Sequence, residues 1–149
     1  TNYKWEKLEL VAKAAQNLKE YYNADNLIMI GHSGGALTSA TINSRVPKLI
    51  DKSILISCPC DFEKWRKMRG ESVYKMKTSP HKNISGISKD SHTIIIVGKN
   101  DINTFPILSK KYHEILISKG FKSELHIIEG EHSSSSLVDL SKIIKSYIN

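Results

Sequence analysis

Three residue types in this 149-residue chain could together activate a hydroxyl group: Ser33, Asp101 and His132. Ser33 lies in Gly31-His32-Ser33-Gly34-Gly35, directly after the apolar run Leu27 to Ile30 and directly before helix-forming residues. A Gly-x-Ser-x-Gly stretch between a strand and a helix forces a sharp turn that presents the serine hydroxyl outward, so Ser33 is the candidate nucleophile. A serine hydroxyl is a weak nucleophile at neutral pH. It needs a neutral imidazole to take its proton and a carboxylate to orient that imidazole and stabilise its charged form. Asp101 ends Gly98-Lys99-Asn100-Asp101 after one apolar run, and His132 ends Gly130-Glu131-His132 after another. Such an arrangement transfers an acyl group to water.

Each candidate also has a simpler structural explanation. Asp101 could cap a helix beginning near Thr104, and Asp61, just past the second apolar run, is a rival for the acid. His132 could be a surface loop histidine. Of the others, His126 falls inside a strand and His113 inside a helix, which makes both structural, while His81 and His92 read as solvated. No histidine pair has metal-ligand spacing with a carboxylate, so no metal is expected, and no cofactor. Negative charge developing on the attacked carbonyl oxygen needs backbone donors, one of them the N–H of Gly34 at the start of the following helix.

Four runs of strand length could position these groups: Leu27 to Ile30, Ser53 to Ser57, Thr93 to Val97 and Glu124 to Ile128. Helical spacing of three or four joins Trp5, Leu8, Ala12, Ala15, Leu18 and Tyr22. It recurs at Leu37, Thr41 and Ser44, at Leu108, Tyr112, Ile115 and Leu116, and at Leu137, Leu140, Ile144 and Tyr147. Continuous apolar strands alternating with helices predict an α/β chain, with an open, mostly parallel sheet carrying helices on both faces as a three-layer sandwich. Ser33, Asp101 and His132 then all fall beyond the carboxyl ends of strands, where open α/β sheets bind ligands. The chain reads as one domain over 1–149, interrupted by a loop-rich, lid-like insertion at about 59–92 with a helical piece near Phe62 to Met68.

Lys and Arg number 22 against 15 Asp and Glu, a net charge of +7, spread along the chain rather than gathered in one run. That pattern describes surface charge and argues against a nucleic-acid partner. No run approaches the length of a membrane span, so a soluble, cytoplasmic protein is expected. Cys58 and Cys60 flank Pro59, a spacing that reads as two reduced, structural thiols rather than a disulfide or metal site. Strand and helix alternation alone would also allow a flavodoxin-type nucleotide binder, with the Gly31 to Gly35 turn as phosphate loop, but that reading explains neither Asp101 nor His132.

The stretches "IIIVGKNDINTF" and "LHIIEGEH", with Ser79-Pro80 through Asn83-Ile84 ahead of the third strand, resemble the α/β-hydrolase fold family. The closest resemblance is to its prolyl-oligopeptidase-like and small-esterase branches. It covers nearly all of this chain but only about the carboxyl-terminal half of the family's fold. It implies a serine hydrolase of carboxylic esters working through Ser33, His132 and Asp101 by an acyl-enzyme, with a small-molecule ester or short peptide as substrate. The alternatives are a prolyl-oligopeptidase-like peptidase and a non-catalytic hydrolase-like scaffold.

In that family a second oxyanion donor comes from a loop after an earlier strand, and no such loop is found here. The family's strand order also leaves the Leu27 to Ile30 strand as an apolar edge. The expected remedies are a separate amino-terminal segment, a homodimer, or membership of a longer chain. The insertion often caps the site in this family. His32, Trp65 and Tyr74 are therefore candidate pocket residues, although the turn is expected to carry the His32 ring beneath itself. The basic residues of the insertion either attract acidic substrates or form a solvated face.

Overall fold

In the computed structural model the described residues are 4–72, 79–133 and 137–148. Helix α1 (Trp5–Tyr21) leads into β1 (Ile28–His32), α2 (Gly34–Arg45), β2 (Lys52–Ile56) and α3 (Phe62–Met68). Two single-turn 3₁₀ helices at Pro80–Lys82 and Ile84–Gly86 follow, then β3 (His92–Gly98), α4 (Pro106–Ser118), β4 (Lys122–Ile128) and α5 (Leu137–Ile148). The four strands form one all-parallel sheet in the order β1-β2-β3-β4. All four lie where the apolar runs predict, extended or shifted by one or two residues at their ends.

Alternation along each strand separates two cores. Leu55 and Ile95 face Ala36 and Ala40 of α2 and Tyr112 and Leu116 of α4. Ile54, Ile56, Ile94 and Ile96 face the other way, against Leu140, Ile143 and Ile144 of α5. Helices thus cover both faces, which is why the central strands are apolar at successive positions, Ile54 to Ile56 and Ile94 to Val97. Helix α1 adds Ala12 to a third cluster with Ile42, Leu49 and Ile50. Asp51 ties this corner together, accepting from the Leu27 N–H at 2.7 Å and from Lys19 Nζ at 3.0 Å. Among the described residues β1 has a strand partner on one side only, and Ile30 stays 46% exposed at that edge.

The cysteines differ from expectation, for Cys58 and Cys60 are joined in a disulfide. The chain folds back at Pro59 so that the two Cα atoms lie 5.2 Å apart, within bridging distance despite a sequence separation of 2. Both are fully buried in the core under α2. A loop this short gives an entropic gain of only about 1.5 kcal/mol. Replacing both cysteines by alanine is therefore expected to lower the unfolding free energy by about 2 kcal/mol, lost cross-link and lost packing together, as read from urea midpoints.

Candidate active site

The turn between β1 and α2 begins with a close approach that glycine alone permits. A Cβ on Gly31 would lie 2.4 Å from the Gly35 carbonyl carbon and oxygen and 2.6 Å from the Ala36 nitrogen. This contact brings the first turn of α2 down onto the strand. Ser33, between them, takes φ 53° and ψ −114°, a conformation costing a non-glycine residue on the order of 1–3 kcal/mol. Its N–H continues the sheet ladder to the Ile56 carbonyl at 2.8 Å, so the backbone is held while the hydroxyl points out at the end of the sheet.

His132 arrives from the loop after β4 by a second close approach. A Cβ on Gly98 would meet the Gly130 and Glu131 carbonyl oxygens at 2.6 and 2.9 Å. Without one, the loop after β4 lies directly against the end of β3, where Asn100 N–H donates to the Gly130 carbonyl at 3.0 Å. His132 then spans the other two groups. Its Nε2 is 3.1 Å from Ser33 Oγ and its Nδ1 is 2.9 Å from Asp101 Oδ2. Residues separated by 99 and 31 positions meet because three parallel strands end on one side of the sheet.

Asp101 is buried, and its two oxygens do different things. Oδ1 accepts the Asn103 and Thr104 N–H groups at 2.9 and 2.8 Å, closing the turn that precedes α4. Oδ2 faces His132 and accepts the Thr104 hydroxyl at 2.6 Å. The capping role and the role of partner to His132 thus coexist, with α4 itself starting at Pro106 rather than near Thr104. Burial by itself raises the Asp101 pKa. It is more than offset by the Thr104 hydroxyl and N–H, by His132 and by the nearby Ser57 hydroxyl, so the carboxyl sits below its usual value. Ser57 Oγ is fully buried and makes no close hydrogen bond; it acts on the carboxylate as a neighbouring dipole. Asn103, Thr104 and Ser57 escaped the sequence reading, although Asp101-Ile102-Asn103-Thr104 carries the signature of an Asp-closed turn.

The rival acid is occupied elsewhere: Asp61 caps α3 by accepting the Lys64 N–H at 3.0 Å and lies 3.4 Å from His81 Nδ1. His81 and His92 are not freely solvated, since His81 Nδ1 lies 2.8 Å from Ser79 Oγ and His92 Nε2 lies 3.0 Å from Glu124. The His32 ring does not pack beneath the turn. It is exposed on the outside, its centroid 4.8 Å from that of His132, because the last residue of β1 faces away from α2 toward the loop after β4.

Trp65 likewise meets the protein through its polar edge. Its Nε1–H donates to the Asn103 carbonyl at 2.7 Å while its ring stacks on Phe62. Arg69 covers the same ring and donates to Asn103 Oδ1 at 2.8 Å. Helix α3 therefore clamps the turn that holds Asp101. Tyr74 lies outside the described residues. Among the described residues, four basic side chains around α3 are paired, Lys67 and Lys82 with Glu63, Arg66 and Arg69 with Glu71, whereas Lys64 lies beside Lys111, which lowers its pKa. Lys82 foremost, then Lys67, hold the Glu63 carboxyl below its usual range.

No family model matches this sequence, and no curated protein is similar to it. Solved structures do match. Esterase PE8 superposes with TM-score 0.69 at 20% identity over 94% of this chain and 60% of its own. The Pyrococcus furiosus esterase Pf2001 gives 0.74 at 18% identity over 99% of this chain and 62% of its own. The fold is that of the α/β-hydrolases. Porphyromonas gingivalis dipeptidyl peptidase 4 carries the same hydrolase fold, with TM-score 0.78 at 17% identity over 94% of this chain and 22% of its own. The chain thus spans less than two thirds of each of these proteins. Among the described residues of this hydrolase fold no helix is long and apolar enough to cross a membrane.

Proposed function

We propose that this chain carries the nucleophile, base and acid of a serine hydrolase that cleaves carboxylic esters. One observation supports the reading above all: the unbroken line from Ser33 Oγ through both nitrogens of His132 to a buried Asp101. His132 Nε2 takes the Ser33 proton as Oγ bonds to the carbonyl carbon. The resulting oxyanion meets the Gly34 N–H, which opens α2 and so has no partner inside that helix. As the tetrahedral intermediate collapses, His132 returns the proton to the departing alkoxide and an acyl-Ser33 ester remains. Water, deprotonated by the same nitrogen, then releases the acid and restores the hydroxyl. The Asp101 carboxylate fixes the imidazole with its proton on Nδ1 and stabilises its cationic form.

Likeness to both esterases and a dipeptidyl peptidase leaves the peptide bond as the second substrate to test. The test treats the full chain and its Ser33→Ala variant with a fluorophosphonate and reads adduct mass. A single adduct on the parent and none on the variant is expected; equal labelling of the two would remove Ser33 from the mechanism. Comparing a short-chain aryl ester with an aminoacyl-proline anilide then separates the substrate classes. The ester is expected to turn over faster.

A further inference from the structure

The residue before the candidate nucleophile has a role that no step above assigns. His32 Nε2 lies 3.0 Å from the backbone carbonyl oxygen of His132. A carbonyl oxygen only accepts, so Nε2 carries a hydrogen and donates it, and a neutral His32 keeps Nδ1 unprotonated. We propose that His32 is a positioning residue that locks the His132 loop to the Ser33 turn, an inference that rests on reading Ser33 and His132 as nucleophile and base.

The loop that carries His132 is fastened on two sides. Ahead of His132 its backbone is tied to the acid side of the site, through Lys99 N–H to the Ile128 carbonyl at 2.8 Å and Asn100 N–H to the Gly130 carbonyl at 3.0 Å. At His132 itself the tie goes to the nucleophile side, through His32. Between the held Gly130 carbonyl and the His132 carbonyl the backbone turns through the torsions of Glu131 and His132. Without the His32 bond, the peptide following His132 can turn about those torsions, and the imidazole is left to its ring contacts with Ser33, Asp101 and Thr104. His32 is a firm anchor because its backbone belongs to β1 and the next N–H is held on the Ile56 carbonyl. Its ring also lies at 43° to that of His132 with centroids 4.8 Å apart, which limits sideways travel of the base.

A tie of this kind sets the distance from base to nucleophile rather than the affinity for substrate. Its loss should lower kcat and the rate of serine labelling while leaving KM nearly unchanged. The test uses the full chain as parent, His32→Ala and His32→Gln, the last placing an amide donor at about the reach of Nε2. Amide hydrogen exchange over residues 129–133 reads loop order independently of reactivity, and fluorophosphonate labelling against a Ser33→Ala blank reads reactivity. In His32→Ala, exchange is expected to quicken and labelling to slow about tenfold, with both restored most of the way in His32→Gln.

Unchanged exchange in His32→Ala, or labelling at the parent rate, would overturn the proposal. Nitrogen NMR of the parent adds a check that needs no variant: the neutral His32 ring should carry its proton on Nε2, and an Nδ1–H form also overturns the tie. If the parent labels no faster than the Ser33→Ala blank, the hydrolase reading falls. Exchange and the NMR tautomer then still decide whether His32 holds the loop.

Discussion

Asp101→Asn is expected to lower turnover by about 10⁴-fold with the fold intact. The reason lies in the different partners of the two carboxylate oxygens. Oδ1 accepts two backbone N–H groups, from Asn103 and Thr104, so an asparagine must keep its carbonyl oxygen there. Its amide nitrogen then takes the place of Oδ2, 2.9 Å from His132 Nδ1. As a donor it makes Nδ1 the acceptor and moves the imidazole proton to Nε2, the atom that faces Ser33. An Nε2–H cannot take the serine proton. Single-turnover kinetics with an activated ester measures the loss, and a decrease under tenfold would mean that Asp101 does not set the tautomer.

The same variant has a signature in stability. The Asp101 carboxyl has a folded pKa below its ordinary 3.8, so the folded state prefers the ionised form. Its contribution is complete above the unfolded pKa and is lost as pH falls through the lower folded value. Between about pH 5 and pH 2 the parent should therefore lose more stability than Asp101→Asn, which has nothing to protonate at that position. Urea titrations across this range compare the two slopes directly.

The second large effect is expected from adding a single methyl group at Gly31. In Gly31→Ala the new Cβ would lie 2.4 Å from two backbone atoms of Gly35 and 2.6 Å from a third, in Ala36. Backbone cannot turn aside as a flexible side chain does, so α2 must lift from β1 at a cost of about 3 kcal/mol. Lifting α2 also moves Ser33 and the Gly34 N–H away from His132, and serine reactivity should fall with stability. Gly35→Ala is the matched comparison, because nothing lies within 4 Å of a Cβ built there. In a helix the change from glycine to alanine is favourable by about 0.5 kcal/mol. Opposite signs for the two glycines of one motif, read from urea midpoints, are the expected result; equal effects would remove the close approach as the cause.

Much of this arrangement is readable in the chain. Apolar runs of strand length separated by helical spacing specify a parallel sheet covered on both faces, since only burial on two sides calls for such runs as Thr93 to Val97. Glycine before Ser33, with strand residues behind and helix formers ahead, specifies the elbow by sterics that are local in sequence. Asp101 and His132 are legible because loops at the carboxyl ends of parallel strands converge by topology, whatever their side chains.

Tertiary structure alone decided the rest, because those features depend on which atoms meet across long separations. The Cys58–Cys60 bridge depends on how the chain reverses at Pro59. The direction of the His32 ring depends on a carbonyl 100 residues away, and Trp65 turns from pocket wall to clamp because the Asn103 carbonyl, 38 residues on, lies within reach of its indole N–H. Local composition determined what each segment could become, whereas the docking of segments determined which polar atoms found partners; hydrogen bonds are short and directional, and their partners exist only once the sheet has brought the loops together.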